Sequence, residues 1–243
     1  MIPAPERVFL LENVRMDISP DGSGSGAGSA PPERIELAEL VRRARSLAPG
    51  GTRRILGITG APGAGKSTVA ARLVQALGPG TAVLVPMDGF HLANNVLDAL
   101  GRRARKGAPD TFDDGGYAAL LHRLRLQTEQ EPVIYAPDFQ RELEEPIGSA
   151  LPAHCAVPLI ITEGNYLLQP GGHWPRARAA LDQVWYLDAD DDIRRQRLIR
   201  RHAAFGKTPE QAREWALGSD EANARLIIAH AGQADLVVRL SGG

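Results

Sequence analysis

Gly60-Ala61-Pro62-Gly63-Ala64-Gly65-Lys66-Ser67-Thr68 matches the pattern G-x-x-x-x-G-K-[ST] in full. Such a run has a definite chemistry. The glycines let the backbone curl so that successive N–H groups point at phosphate oxygens, and a helix starting at the lysine adds its positive end. Lys66 is placed to reach the β- and γ-phosphates of a nucleotide, and Ser67 to put a hydroxyl on Mg²⁺. An apolar run, Ile55-Leu56-Gly57-Ile58, leads in, and a helical pattern from Val69 to Leu77 leads out. This strand–loop–helix context makes the motif specific and predicts ATP and Mg²⁺ as cofactors.

Two carboxylates follow at the ends of further apolar runs. Val83-Leu84-Val85-Pro86-Met87 ends in Asp88-Gly89-Phe90-His91. In an open α/β sheet, ligands sit beyond the carboxyl ends of the strands, which is where Asp88 falls. Asp88 there either takes the proton of an attacking hydroxyl or holds Mg²⁺ through water, although Asp-Gly is also an ordinary turn pair. Leu159-Ile160-Ile161-Thr162 ends in Glu163. A carboxylate at that strand end sits near the metal and orients its waters, or caps the strand end.

Arg194, Arg197 and Arg201 are spaced i, i+3 and i+7, one face of a helix. A guanidinium there neutralises charge spreading over a transferred phosphoryl group, with Arg197 and Arg201 favoured, or the face is simply solvated. Arg195 and Arg200 point elsewhere and are expected in solvent. Asp190-Asp191-Asp192 suits a helix N-terminus.

The elements that must position these groups alternate. Arg54–Thr59, Ala82–Pro86, Val157–Thr162, Val184–Leu187 and Leu236–Leu240 read as strands. Glu33–Leu47, Gly65–Leu77, Tyr117–Leu126, Asp191–Ala204 and Pro209–His230 read as helices. Strands alternating with helices imply an α/β fold with a mostly parallel sheet covered by helices on both faces. Residues 19–32 are rich in Gly, Ser and Pro and cannot bury apolar surface. A flexible tail over 1–32 and one domain over 33–243 are therefore expected.

The chain has 243 residues, enough for one sizeable core, and a formal net charge of −1, which gives no nucleic-acid footprint. Cys155 is the single cysteine, so no internal disulfide forms; its apolar neighbours suggest a small buried hydrophobe. No apolar run reaches the roughly 20 residues of a membrane span, and the N-terminal residues lack a signal-peptide pattern. The expected setting is the cytoplasm, with a small-molecule acceptor, no nucleic acid, no membrane, and a homodimer as an open option.

The order of the motifs carries a resemblance. The phosphate loop is followed by Asp88-Gly89-Phe90-His91-Leu92-x-Asn94-Asn95-x-Leu97, then Lys106-Gly107-x-Pro109-x-Thr111-Phe112-Asp113, then Ile161-Thr162-Glu163-Gly164-Asn165. Over about residues 53–240 the chain resembles the phosphoribulokinase, uridine kinase and bacterial pantothenate kinase group of P-loop kinases. Within it, the chain is most similar to small bacterial proteins of the nucleoside/nucleotide kinase-like and fructose transport system kinase type. The resemblance implies a P-loop NTPase fold with a helical lid, turning near His202–Lys207. It implies ATP-dependent phosphoryl transfer to a hydroxyl of a nucleoside, pantothenate-like or sugar acceptor. It also implies Asp88 as base, an acceptor pocket shaped by the Lys106–Asp113 loop, and lid arginines over ATP. His91, Lys106, Tyr135, Arg141 and Asn223 are assigned to the acceptor side, with Arg225 near Asn223. Where pantothenate kinases have a Tyr-Ser-His stretch, this chain reads Phe139-Gln140-Arg141. A fixed cation in place of a neutral donor suggests an acceptor carboxylate or phosphate, or else a surface pair with Glu142, Glu144 or Glu145. The rival reading is a P-loop NTPase switch with no acceptor; Asp88, Lys106 and the arginine face are parts such a switch lacks.

Overall fold

The computed structural model describes residues 32–48 and 51–241. The expected tail over 1–32 falls outside them, apart from residue 32. Six strands form one parallel sheet: β1 (Glu33–Ile35), β2 (Arg54–Thr59), β3 (Ala82–Leu84), β6 (Leu159–Glu163), β7 (Gln183–Leu187) and β8 (Leu236–Leu240), in the order β1-β8-β7-β2-β6-β3. The central strands β2 and β6 are almost continuously apolar and buried, as strands covered on both faces must be. Their side chains alternate between two cores. Ile55 and Ile160 face a layer with Tyr117, Trp174 and Leu181, while Leu56 and Ile161 face a layer with Leu40, Leu73 and Trp185. Gly57 lets the first layer close in: a Cβ there would lie 2.7 Å from Leu181 Cδ1, so that side chain would have to shift.

Helices α1 (Leu37–Leu47) and α2 (Lys66–Leu77) supply the second layer. Helices α4 (Asp114–Arg125) and α5 (Trp174–Ala179) supply the first, and the short α3 (Asn94–Ala99) follows the Asp88 turn. Helices α6 (Asp191–Ala204), α7 (Pro209–Leu217) and α8 (Ser219–Ile228) follow β7, in the stretch where the resemblance implies a lid. No described helix is long and apolar enough to cross a membrane.

The fold class is the expected one, and three segments depart from their expected form. Glu33–Ile35 does not extend α1: it pairs in parallel with β8, Glu33 opposite Val238 and Ile35 opposite Leu240. Pro209–His230 divides at Gly218, whose φ of −97° and ψ of −90° break the helix. Residues 133–154 form an antiparallel hairpin, β4 (Val133–Gln140) and β5 (Glu145–His154), that the apolar pattern did not indicate. Cys155 is half-buried rather than a core residue.

Candidate active site

The phosphate loop connects β2 to α2. Gly63 and Gly65 take φ of +82° and +97°, left-handed values that favour glycine, and Gly65 caps α2. A Cβ on Gly63 would lie 2.5 Å from the carbonyl oxygen of Arg194, so the loop is pressed against α6. Lys66 is buried at the start of α2, and its Nζ donates to the carbonyls of Gly60 (2.9 Å) and Ala61 (3.2 Å). Burial pulls its pKa down to about 8, against the attraction of Glu163 and Asp88. An ammonium held on two loop carbonyls and short of counter-charge is ready to accept phosphate oxygens.

β6 lies beside β2 and delivers Glu163 to the same spot. Ser67 Oγ donates to Glu163 Oε1 at 2.9 Å. Glu163 is buried, and its pKa is pushed up to about 7, first by burial and then by Asp88. A hydroxyl and a carboxylate are hard oxygen donors, which suits Mg²⁺. Among the described residues no group of three His, Cys, Asp or Glu side chains could hold a metal alone, so the remaining ligands would have to be water and nucleotide phosphate.

Asp88 sits in a 3-10 turn, Met87–Phe90, past the end of β3. Its backbone carbonyl meets His91 Nδ1 at 2.8 Å, and Arg141 Nη2 lies 3.6 Å from its Oδ2. Arg141 therefore reaches Asp88 instead of Glu142, Glu144 or Glu145. The His91 ring lies against Phe112 and Phe139, with centroids 4.0 and 4.7 Å away, and burial holds its pKa below the ordinary histidine value. Lys106 Nζ donates to Asn94 Oδ1 at 2.6 Å and to the Glu144 carbonyl, tying its loop to the hairpin tip. Asn223 Nδ2 and the Tyr166 hydroxyl both donate to the Gly107 carbonyl.

These groups converge on one cleft of about 300 Å³, lined by Lys66, Ser67 and Glu163 at one end and by Asp88, His91, Lys106, Arg141 and Asn223 at the other. Tyr135 is not brought there: it lies on β4 and is 58% exposed. Arg225 is exposed on α8 and does not line the cleft either. The three arginines of α6 part company. Arg201 lines the cleft. Arg197 lies across the phosphate loop in a second cavity of about 580 Å³, with Gly65, Thr68, Arg72 and Arg239. Arg194 is 1% exposed and structural, paired with Asp191 (3.0 Å) and Glu221 (2.7 Å). Arg195 also pairs with Glu221, at 3.0 Å, rather than being left to solvent. Asp190 caps α6, accepting from the Asp192 and Ile193 amides. One pair escaped the sequence reading: His202 Nε2 lies 2.7 Å from Asp220 Oδ2, and both line the cleft. Nothing local marks that pair, because α6 and α8 must fold before the two residues meet.

The phosphoribulokinase / uridine kinase family model matches residues 55–241. A Schizosaccharomyces pombe protein provisionally named uridine kinase C227.14 is 31% identical over 86% of this chain and 92% of its own. The Escherichia coli protein YggC, itself uncharacterized, is 33% identical over 78% of each. Among solved structures, a protein provisionally described as a fructose transport system kinase from Silicibacter sp. TM1040 superposes with a TM-score of 0.74 at 34% identity, over 85% of this chain and 99% of that one. YFH7 from Saccharomyces cerevisiae shares the fold, with a TM-score of 0.73 at 20% identity over 86% of this chain and all of that one. The phosphate loop, the carboxylates at the strand ends and the lid thus sit in a frame found in known relatives, and the chain belongs to the phosphoribulokinase / uridine kinase family of ATP-dependent P-loop kinases.

Proposed function

We propose that the protein transfers the γ-phosphoryl group of ATP, with Mg²⁺, to a hydroxyl of a small metabolite. The observation that carries this reading is the continuity of the cleft. Lys66, Ser67 and Glu163 stand at one end, and Asp88 stands at the other with His91, Lys106 and Arg141 around it. A nucleotide switch has no use for the second end.

The roles follow from the chemistry of each group. Lys66 exchanges its two loop carbonyls for phosphate oxygens and balances their charge. Ser67 and Glu163 would hold Mg²⁺, which when bound draws charge off the phosphate oxygens. Arg201 lies in the cleft beside Lys66, where a guanidinium stabilises charge spread over the transferred group. Asp88 accepts the proton of the attacking hydroxyl. Phe112, Phe139 and the His91 ring between them form a wall that excludes water and turns the acceptor toward Asp88.

Lys66→Ala tests the reading. With the fold checked by circular dichroism, the variant should lose most ADP formation with any acceptor that works for the wild type. Near-wild-type turnover in the folded variant would refute it.

A further inference from the structure

The cation that meets Asp88 comes from the hairpin, and its placement there is over-determined. Glu145 at the start of β5 accepts the Asn94 amide with both carboxylate oxygens, at 3.0 and 3.1 Å. Lys106 grips Asn94 and the Glu144 carbonyl. The β4 backbone packs so tightly on the Asp88 turn that a Cβ on Gly89 would collide with the Pro137 carbonyl. Together these contacts hold the tip between β4 and β5 over the acceptor end of the cleft, where Arg141 is 39% exposed and lies 3.6 Å from Asp88.

That contact conflicts with the role of Asp88 as a base. A carboxylate that is to receive a hydroxyl proton needs a lone pair aimed at the hydroxyl, and a guanidinium at that oxygen competes for it. The pair is half-exposed and long, so it is weak and exchanges at small cost. A guanidinium makes a stronger two-pronged contact with a carboxylate or phosphate that approaches in its plane. The surrounding charge points the same way. Arg103 and Lys207 also line the cleft, and neither pairs with a carboxylate among the described residues. Asp220 is taken by His202, which leaves Glu144 as the uncommitted acid on that side.

We infer that the acceptor is a hydroxyl compound bearing a carboxylate or phosphate, and that this anionic group draws Arg141 off Asp88 as the acceptor binds. The inference rests on the kinase reading above. In the step itself the acceptor oxygen bonds to the γ-phosphorus. The bond from that phosphorus to the β–γ bridging oxygen breaks, its electron pair leaves on ADP, and the hydroxyl proton passes to Asp88. The acceptor's anionic group is unchanged. Its work is to take the guanidinium in a charge-assisted contact and so leave Asp88 unpaired; a neutral compound with the same hydroxyl lacks that contact and meets Asp88 with Arg141 still beside it.

The test measures ADP release by the full chain with ATP and Mg²⁺ and matched acceptors: glycerate against glycerol, pantothenate against pantothenol, ribose 5-phosphate against ribose, and uridine alone. The expected result is a charged member whose kcat/KM exceeds that of its neutral twin by about 10- to 100-fold, the worth of one charge-assisted contact. Arg141→Gln should erase most of that gap. The pair that responds tells carboxylate from phosphate. A neutral twin or uridine that matches or beats the charged compounds overturns the inference. If no compound in the set responds, hydrolysis with water as acceptor decides. Arg141→Gln should then raise it several-fold, and adding Asp88→Asn should abolish the rise; an unchanged rate overturns the inference. ATP-induced thermal stabilisation of the wild type separates the two levels. Without it the kinase reading fails and takes this inference with it, whereas intact ATP binding without charge preference sinks the acceptor inference alone.

Discussion

Glu163→Gln should make the nucleotide-free protein more stable at alkaline pH while crippling it as an enzyme. The folded structure raises the Glu163 pKa from 4.5 to about 7, first by burial and then by the charge of Asp88. The sign follows from proton counting. Between about pH 4.5 and 7 the folded state holds a proton on Glu163 that the unfolded state has released. Stability from this group is therefore fully present below pH 4.5 and lost as pH rises toward 7. At 1.36 kcal/mol per pKa unit, the loss above pH 7 has a ceiling of about 3 kcal/mol. Glutamine still accepts from Ser67 Oγ but deprives Lys66 of a counter-charge, so the net gain at pH 8 should be nearer 1–2 kcal/mol. For a domain of this size that is a few degrees in Tm, at about 2–4 °C per kcal/mol. The assay is denaturant unfolding of both proteins from pH 5 to 8. His91, whose pKa is lowered by burial, changes stability in the opposite direction near pH 6.5, so the quantity to read is the difference between the two profiles. That difference should open in favour of glutamine as pH rises, and saturating ATP with Mg²⁺ should invert the ranking. Parallel profiles, or a less stable variant at pH 8, would refute the argument that Glu163 is a strained carboxylate awaiting a cation.

Asp88→Asn should lower kcat by about 10²–10⁴-fold with ATP affinity changed less than about tenfold, and rescue by added Mg²⁺ would reassign Asp88 to the metal. Gly63→Ala, at φ +82° and against the Arg194 carbonyl, should cost at least about 1–3 kcal/mol and weaken ATP binding, both readable by thermal shift with and without nucleotide. Tyr135→Ala should leave kcat and KM unchanged, because Tyr135 lies outside the cleft; a rise in acceptor KM would return it to the site.

The nucleotide end of the site was legible because its chemistry is local. A loop of fixed spacing between an apolar strand and a helix identifies itself, and Asp88 and Glu163 follow from the rule that ligands gather at strand ends. The acceptor end was only half legible. The β4–β5 hairpin carries Pro137, Pro146 and Pro152, has a bulge between Ala136 and Asp138, and is exposed along much of β5, so no apolar alternation betrays it. Without the hairpin, Arg141 could be named but not aimed. The α6 arginines misled for a different reason. Helical spacing puts Arg194, Arg197 and Arg201 on one flank, yet the phosphate loop lies across that flank and divides it. Arg194 goes under the loop, Arg197 to one side and Arg201 to the other. In β1, Ile35 fits a helical stripe with Leu37 and Leu40 as well as it fits a strand, and the partner that decides the matter lies far away in sequence.

That distant pairing sets a timetable for the newborn chain. Glu33 and Val238 are about 200 positions apart, and ribosomes add roughly 5–20 residues per second, so β1 waits on the order of 10–40 s for the strand it borders. Once β7 is made, and until β8 follows, β7 ends the sheet on that side, and its open row of backbone groups is a template for any passing strand. A ribosome that stalls before β8 is made releases a protein with its phosphate loop complete and a sticky flank. Truncation before Leu236 should therefore yield aggregates rather than a merely inactive enzyme.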